Sequence, residues 1–160
     1  DANLISQLGG EINLFLPTNK TLSYGFRFKN EVIFTKVSGG QSDAFRIPTT
    51  FLNMKAYWEG SWFNHTIPVQ IGIDVHHKSA YYANAYDPVT QQFYLQNDEK
   101  IFEGYSYPTN LFWNMRIEKV FLFIKSTHIS QPNDGGYFVT PKYPGQQRVL
   151  DFGFKWLFFD

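Results

Sequence analysis

Residues 67–76 read Ile-Pro-Val-Gln-Ile-Gly-Ile-Asp-Val-His, and this stretch decides the fold class. Every second side chain from Ile67 to Val75 is Ile or Val, and the residues between them are polar or small. Successive side chains of a β-strand point to opposite faces, whereas a helix groups residues three and four apart. The alternation therefore predicts a strand with one apolar and one polar face, and we expect the apolar face to be buried.

Shorter runs with the same rhythm surround this strand. Residues 22–29 and 148–159 alternate in the same way, and residues 32–37, 51–58 and 120–124 are rich in apolar and β-branched residues. The 12 Gly and 8 Pro fall mostly between these runs, which is typical of all-β proteins. We predict one domain over residues 1–160, an antiparallel β-sandwich in which a jelly-roll topology is favoured.

Local signals give four finer expectations. Asn3–Leu8 has helical spacing and predicts one helical turn, stopped by Gly9-Gly10. Asn30-Glu31 predicts a tight turn, and Asp87-Pro88-Val89-Thr90 predicts a hairpin with Pro at the second turn position. Val120–Ile124 is apolar at every position, which indicates a central strand covered on both sides. A buried helix is the alternative, and the β-branched and aromatic residues favour the strand.

Composition excludes several functional classes. The chain has no cysteine, so it can form no disulfide, thiolate metal site or thiol nucleophile. Lys and Arg number 14, and so do Asp and Glu. Proteins that bind nucleic acid normally carry a cationic excess, so we expect no nucleic-acid partner. No stretch approaches the roughly 20 apolar residues of a transmembrane helix. No basic region followed by an apolar run opens the chain, so no leader is expected in this sequence, as would also hold for a processed protein that begins at Asp1.

No catalytic motif, metal site or cofactor is predicted. Residues 104–108 resemble a nucleophile elbow around Ser106, but Pro108 stands where that motif needs a second glycine. His76 and His77 are adjacent on a strand, so their side chains point apart and cannot share a metal. Asp74 does share a face with His76, but two ligands do not make a metal site. We therefore expect a protein that is not an enzyme.

Aromatic residues suggest a binding surface. They make up 19% of the chain, roughly double the share in an ordinary domain. Phe alone could fill much of the interior, which leaves Tyr and Trp for contacts outside. Flat rings beside amide groups suit sugars, and they also anchor protein interfaces. The predicted ligand-binding residues are Trp58, Trp62, Tyr82, Asn84, Tyr86 and Trp113.

Three functions follow from this pattern. The first is a non-enzymatic binding module for a glycan or cell-surface protein, outside the cell or on a virion, as in lectins, carbohydrate-binding modules and viral attachment proteins. The second is a structural subunit of a virion or another homo-oligomeric assembly, because a neutral surface favours self-association. The third is an eight-stranded outer-membrane barrel, although Pro48, Pro68, Pro108 and the run Val120–Ile124 depart from its strand pattern.

A short aromatic stretch also resembles another family. Residues 105–108 (Tyr-Ser-Tyr-Pro), followed by residues 113–117 (Trp-Asn-Met-Arg-Ile), are similar to the lipid-binding stretch of the actinoporin cytolysins. Those toxins carry a longer amphipathic helix at the N-terminus, and Gly9-Gly10 interrupts any such helix here. The toxin function is not carried over.

Overall fold

The structure is a computed structural model that describes residues 3–19, 24–40, 42–102, 105, 107–132 and 137–158. A single 3-10 turn, Ser42–Ala44, is the helical part of these residues. The strands are β1 (Leu4–Asn19), β2 (Tyr24–Ser38), β3 (Thr50–Trp62), β4 (Ile67–Lys78), β5 (Tyr81–Tyr82), β6 (Ala85–Asp87), β7 (Gln92–Tyr94), β8 (Lys100–Ile101), β9 (Thr109–Ile117), β10 (Val120–Thr127), β11 (Phe138–Thr140), β12 (Tyr143–Pro144) and β13 (Val149–Trp156). The predicted all-β, antiparallel fold is confirmed.

One large sheet dominates the fold. It has seven strands in the order β1-β2-β3-β4-β9-β10-β13, and each neighbouring pair is antiparallel. The other described sheets have two strands each, β5-β8, β6-β7 and β11-β12. The jelly-roll sandwich is not confirmed, because the large sheet follows chain order and no second large sheet covers it within the described residues. The eight-stranded barrel is not supported either, because this sheet stays open between β1 and β13.

The helical turn predicted at Asn3–Leu8 is wrong. These residues belong to β1, where Leu8 lies opposite Phe34 and Gly9 lies opposite Ile33. A single helical turn is costly to nucleate, whereas a strand ladder provides partners for the backbone amides and carbonyls along its whole length. Pairing with β2 therefore overrides the local spacing, and Gly9-Gly10 lies inside the strand.

The tight turn predicted at Asn30-Glu31 is also wrong. β2 runs through both residues without interruption, and Asn30 lies between Ile12 on one neighbouring strand and Met54 on the other. Glu31 Oε2 accepts a hydrogen bond of 2.9 Å from Asn53 Nδ2. Partners on both sides keep this polar pair extended.

The hairpin predicted around residues 87–90 is confirmed. It joins β6 to β7, which pair in antiparallel register. The carboxylate of Asp87 fixes the turn, since Oδ1 accepts a bond of 3.0 Å from the Val89 amide and Oδ2 accepts one of 2.9 Å from Thr90 Oγ1. This is the local hydrogen bonding that favours Asp at the start of turns.

Connections of the large sheet differ strongly between its two ends. At one end, residues 63–66 join β3 to β4, and residues 118–119 join β9 to β10. At the other end the connecting segments are longer: residues 39–49 join β2 to β3, residues 79–108 join β4 to β9, and residues 128–148 join β10 to β13. We call these the short-turn end and the loop end. The part of the chain that the structure describes contains no apolar helix of the length needed to cross a bilayer.

Candidate functional site

The register of the large sheet sorts its side chains onto two faces. Residues directly opposite each other share a face, and Ile71 of β4 lies opposite both Trp58 of β3 and Trp113 of β9. Up to the irregularity after Pro17, one face therefore carries the even-numbered residues of β1, β2, β3, β10 and β13 and the odd-numbered residues of β4 and β9. We call it the apolar face, and the opposite side the polar face.

The apolar face is uncovered. Its exposed fractions reach 82% at Phe152 and 73% at Leu8, on the two edge strands. In the central strand β4, Val69 is buried, but Ile71 is 43% and Ile73 41% exposed. The expected burial of this side of β4 is thus wrong for Ile71 and Ile73, because no second layer packs there within the described residues. Soluble monomers rarely expose apolar patches of more than a few hundred Å². We therefore expect this face to contact an apolar partner, either a membrane or another protein surface.

All four tryptophans of the chain lie on the apolar face. Trp62 and Trp156 are the last residues of β3 and β13 and stand at the short-turn end. The Trp62 and Trp113 rings lie 5.8 Å apart, and Trp156 stacks on Phe158 at 4.9 Å. Indoles combine a large apolar surface with one N–H donor, which suits the boundary between an apolar and a wet environment.

Charged side chains collect on the polar face. Within the described strands of the large sheet, Lys36 near the end of β2 is the one Asp, Glu, Lys or Arg on the apolar face. The polar face carries Glu11, Arg27, Lys29, Glu31, Lys55, Glu59, Asp74, Lys78, Arg116, Lys125, Asp151 and Lys155. Both signs are present, so this face is charged without a single dominant sign.

A hydrogen-bonded chain crosses three strands of the polar face. Asn53 donates to Glu31, the His76 Nδ1 lies 2.8 Å from Asn53 Oδ1, and His76 Nε2 lies 3.3 Å from Asp74 Oδ2. The prediction that His76 and His77 point to opposite faces is confirmed by the register. No group of three or more His, Asp or Glu residues in the described part of the chain could hold a metal ion.

Basic side chains of the polar face lie across aromatic rings. Arg27 forms an ion pair with Glu59, and its guanidinium carbon lies 4.4 Å from the centre of the Phe15 ring. The Lys55 ammonium lies 4.5 Å from the centre of the Phe112 ring. Such cation–π contacts hold long side chains close to the sheet, so these cations stay near the surface instead of extending away from it.

A cavity of about 840 Å³ opens on the polar face, towards the short-turn end. Phe121 and Phe123 of β10 lie in it and are 36% and 43% exposed. The strand predicted at Val120–Ile124 is therefore confirmed, but its coverage on both sides is wrong. We call this site the polar-face cavity, and its lining residues are Tyr24, Glu59, Gly60, Pro68, Val69, Gln70, Asn114, Met115, Arg116, Phe121, Leu122, Phe123 and Lys155.

An aromatic–histidine cluster lies at the loop end. Tyr105 OH is 3.0 Å from His128 Nδ1, and the Tyr137 ring lies 4.9 Å from the Tyr105 ring and 5.3 Å from the imidazole. Burial lowers the pKa of His128, and the nearby Lys125 adds to this effect. Burial also raises the pKa of Tyr137, so both groups favour their neutral forms. Ser106, the nucleophile weighed from the sequence, lies outside the described residues.

The six predicted ligand-binding residues fall into two groups at opposite ends of β4. Three lie on the apolar face, in or near its short-turn half, and three lie in the connection that follows β4 at the loop end. The first group is Trp58, Trp62 and Trp113, and the second is Tyr82, Asn84 and Tyr86. Within the first group the rings of Trp62 and Trp113 are in contact, but the structure does not bring the two groups into one site.

Rings of the loop-end group already have partners in the protein. Arg46 and Lys100 lie 6.0 and 5.1 Å from the centre of the Tyr82 ring, and Tyr86 contacts Phe93 at 5.1 Å. Sequence reasoning missed the polar-face cavity, because a run that is apolar at every position gives no sign that one side is wet. Ligand binding at the six residues stays a prediction, as do the absence of enzymatic activity and the glycan, cell-surface and homo-oligomeric partners.

The fold and its surface together define a class of protein. Its large antiparallel sheet has strands in chain order, with an uncovered apolar face on one side and a charged face on the other. The model of the family described as "Putative porin" matches residues 1–160, and the chain belongs to this family. No curated protein and no solved structure matched the chain significantly. The family supports an outer-membrane or surface-exposed location. This agrees with the predicted extracellular or virion-surface location only in that both lie outside the cytoplasm, and the virion surface is not confirmed. The family gives no support to the lectin, carbohydrate-binding or viral interpretations.

Proposed function

We propose that this chain forms part of the wall of an outer-membrane porin. In this arrangement the apolar face contacts lipid and the polar face lines an aqueous passage for solutes. The observation that carries the proposal is the separation of side chains by the register, with Lys36 as the one Asp, Glu, Lys or Arg on the apolar face within the described strands of the sheet. Family membership supports the same function.

Energetics favour a bilayer around the apolar face. Exposed apolar surface costs roughly 25 cal/mol per Å² in water, and this cost disappears when lipid chains replace the water. A strand that crosses a bilayer needs about 9–11 residues. β1 to β4 have 12–16 residues and β9 has 9, so these five strands are long enough, whereas β10 and β13 have 8 residues each.

Asymmetry between the two ends supports a defined orientation. Outer-membrane sheets have short turns on the periplasmic side and longer loops outside. The short-turn end would therefore face the periplasm, and the loop end would face the exterior. Trp62 and Trp156 at the short-turn end would then lie where the periplasmic side of the outer membrane meets water, a position in which indoles are enriched.

Strand direction sets a condition on how the sheet could close. β1 and β13 are the first and last of seven strands in an antiparallel sheet, so they run in the same direction. Pairing them directly would place two parallel strands side by side. Closure through antiparallel pairs alone would take an odd number of additional strands between them, which gives the even total found in bacterial outer-membrane proteins.

A swelling assay tests the proposed function. The protein is reconstituted into phospholipid vesicles loaded with an impermeant polymer and diluted into iso-osmotic arabinose. We expect the protein to float with the vesicles and the vesicles to swell, because arabinose enters through the passage and water follows. Vesicles without protein should keep their volume. Protein that stays in the aqueous phase, or inserts while the vesicles keep their volume, would contradict the proposal.

A further inference from the structure

We propose that the polar-face cavity binds a sugar acid, a solute that combines a carboxylate, several hydroxyl groups and a flat C–H face. The proposal rests on the proposed function only in that the polar face is taken to be in contact with water. The residues that carry it line the cavity on four neighbouring strands, β4, β9, β10 and β13.

Cations flank an aromatic ring in one row of the cavity. Phe121 of β10 lies directly opposite Arg116 of β9 on one side and Lys155 of β13 on the other. Two strand spacings place the two cationic residues about 10 Å apart at the backbone. Long flexible side chains can converge across that distance on one carboxylate, with which Arg and Lys form strong charge-assisted hydrogen bonds.

Neither cation is neutralised by a carboxylate within the described residues. Arg116 uses Nε to donate to the Glu118 carbonyl oxygen at 2.8 Å, and its guanidinium carbon lies 5.1 Å from the centre of the Phe121 ring. Its terminal nitrogens, like the Lys155 ammonium, make no ion pair there. Glu59, the acidic residue of the cavity lining, is already paired with Arg27. The cavity is therefore locally cationic although the chain has no net charge.

Two amides supply hydrogen bonds beside these cations. Gln70 of β4 and Asn114 of β9 lie directly opposite each other and line the cavity. In the part of the chain that the structure describes, neither side-chain amide has a hydrogen-bond partner. Each amide can donate and accept, as hydroxyl groups of a sugar require.

Phe123 provides the flat surface. It lies directly between Asn114 and Gly153, and a Cβ on Gly153 would come within 2.8 Å of its ring. The ring therefore lies across the backbone of β13, and 43% of the residue stays exposed. A sugar stacked on this ring would place its hydroxyls near the amides and its carboxylate near the cations.

Size does not restrict the site to one sugar. Small-molecule sites usually measure about 300–1,000 Å³, and the cavity measures about 840 Å³. A neutral sugar would leave both cations unused, and a simple carboxylate would leave the amides and the ring unused. The combination of groups favours a solute that satisfies all of them.

Saturation-transfer NMR and calorimetry on the intact protein test the proposal, in octaethylene glycol dodecyl ether so that no sugar detergent competes. The probes are D-glucuronate, D-glucose and acetate. We expect D-glucuronate to bind at least tenfold more tightly than either other probe, because only it engages cations, amides and ring together. Equal affinity for D-glucuronate and D-glucose, or no binding of D-glucuronate, would overturn the proposal.

Two variants and a matched control locate the binding. Arg116→Gln and Lys155→Gln should each weaken D-glucuronate binding by about tenfold, the usual effect of losing a hydrogen bond to a charged group. Lys29→Gln removes a charge from an exposed position on β2 that does not line the cavity, and it should leave the affinity unchanged. An equal loss in all three variants would contradict the site. Swelling in arabinose without D-glucuronate binding would refute the site alone, whereas binding without swelling would refute the porin.

Discussion

An arginine at Ile71 is expected to destabilise the membrane-inserted protein by about 2–4 kcal/mol, the cost measured for cations on the lipid face near the bilayer centre. Ile71 lies on the apolar face of β4, in the middle of the seven-stranded sheet, and is 43% exposed. In lipid, the guanidinium would lose its hydration without gaining a partner. The free energy of unfolding is measured by urea titration of Ile71→Arg and wild type in phospholipid vesicles.

Gln70→Arg is the matched control. Gln70 is the preceding residue of the same strand and lies on the polar face, where an arginine would reach water. We expect this variant to stay within about 1 kcal/mol of wild type, as most changes at wet surface positions do. Equal stability of Ile71→Arg and Gln70→Arg would mean that both faces are wet and would refute lipid contact.

Alanine at Gly72 is expected to destabilise the sheet by about 1–3 kcal/mol or more, the range for overpacked sites. A Cβ at Gly72 would lie 2.4 Å from both the Ala56 carbonyl oxygen and the Tyr57 Cβ. Backbone atoms cannot rotate away as a flexible side chain can, so β3 and β4 would have to separate. Urea titration of Gly72→Ala measures the loss.

Gly10→Ala is the control for this substitution. A Cβ at Gly10 would meet no atom within 4 Å, and alanine restricts the unfolded chain more than glycine does. We expect a neutral effect or a gain of about 0.4–1 kcal/mol. If Gly10→Ala were as harmful as Gly72→Ala, the close contact of β3 with β4 would not be the cause of the loss.

The alternation in residues 67–76 predicted the strand and its two faces, but it could not predict what covers the apolar face. Ile71 and Ile73 look the same in a sequence whether they contact a protein core or lipid, because both environments select the same side chains. The sandwich was expected because the apolar face of such a strand is usually buried against a second layer of the same protein. The register of all seven strands was needed to show that, within the described residues, no second layer covers the apolar face.

Local signals failed where pairing partners were distant in the chain. Asn3–Leu8 and Asn30-Glu31 have the residue types of a helical turn and a tight turn, yet both lie in the long β1–β2 ladder. By contrast, Asp87 holds the 87–90 turn through hydrogen bonds within four residues, and this hairpin was predictable. Interactions between near neighbours can be deduced from sequence, and ladder pairing across the sheet overrides weak local preferences.

The candidate site was predictable only in part. Trp62 and Trp113 were both selected from the sequence, and their rings lie 5.8 Å apart. Phe121 and Phe123 were assigned to a covered core strand. Their own segment, Val120–Ile124, does not show that Lys155 and Gly153 of β13 lie opposite them. The polar-face cavity is lined by residues from six strands, β2, β3, β4, β9, β10 and β13, and only the sheet order brings them together.

Tryptophan quenching in vesicles tests lipid contact of the apolar face most directly, because all four tryptophans lie on that face. Reconstituted protein is compared in ordinary phospholipid, in phospholipid brominated on its acyl chains, and with iodide added to the water. We expect brominated lipid to remove most of the emission, and iodide to remove a smaller part, because it reaches only Trp62 and Trp156 at the membrane–water boundary. Strong quenching by iodide together with unchanged emission in brominated lipid would show that the tryptophans face water and would contradict a lipid-facing sheet.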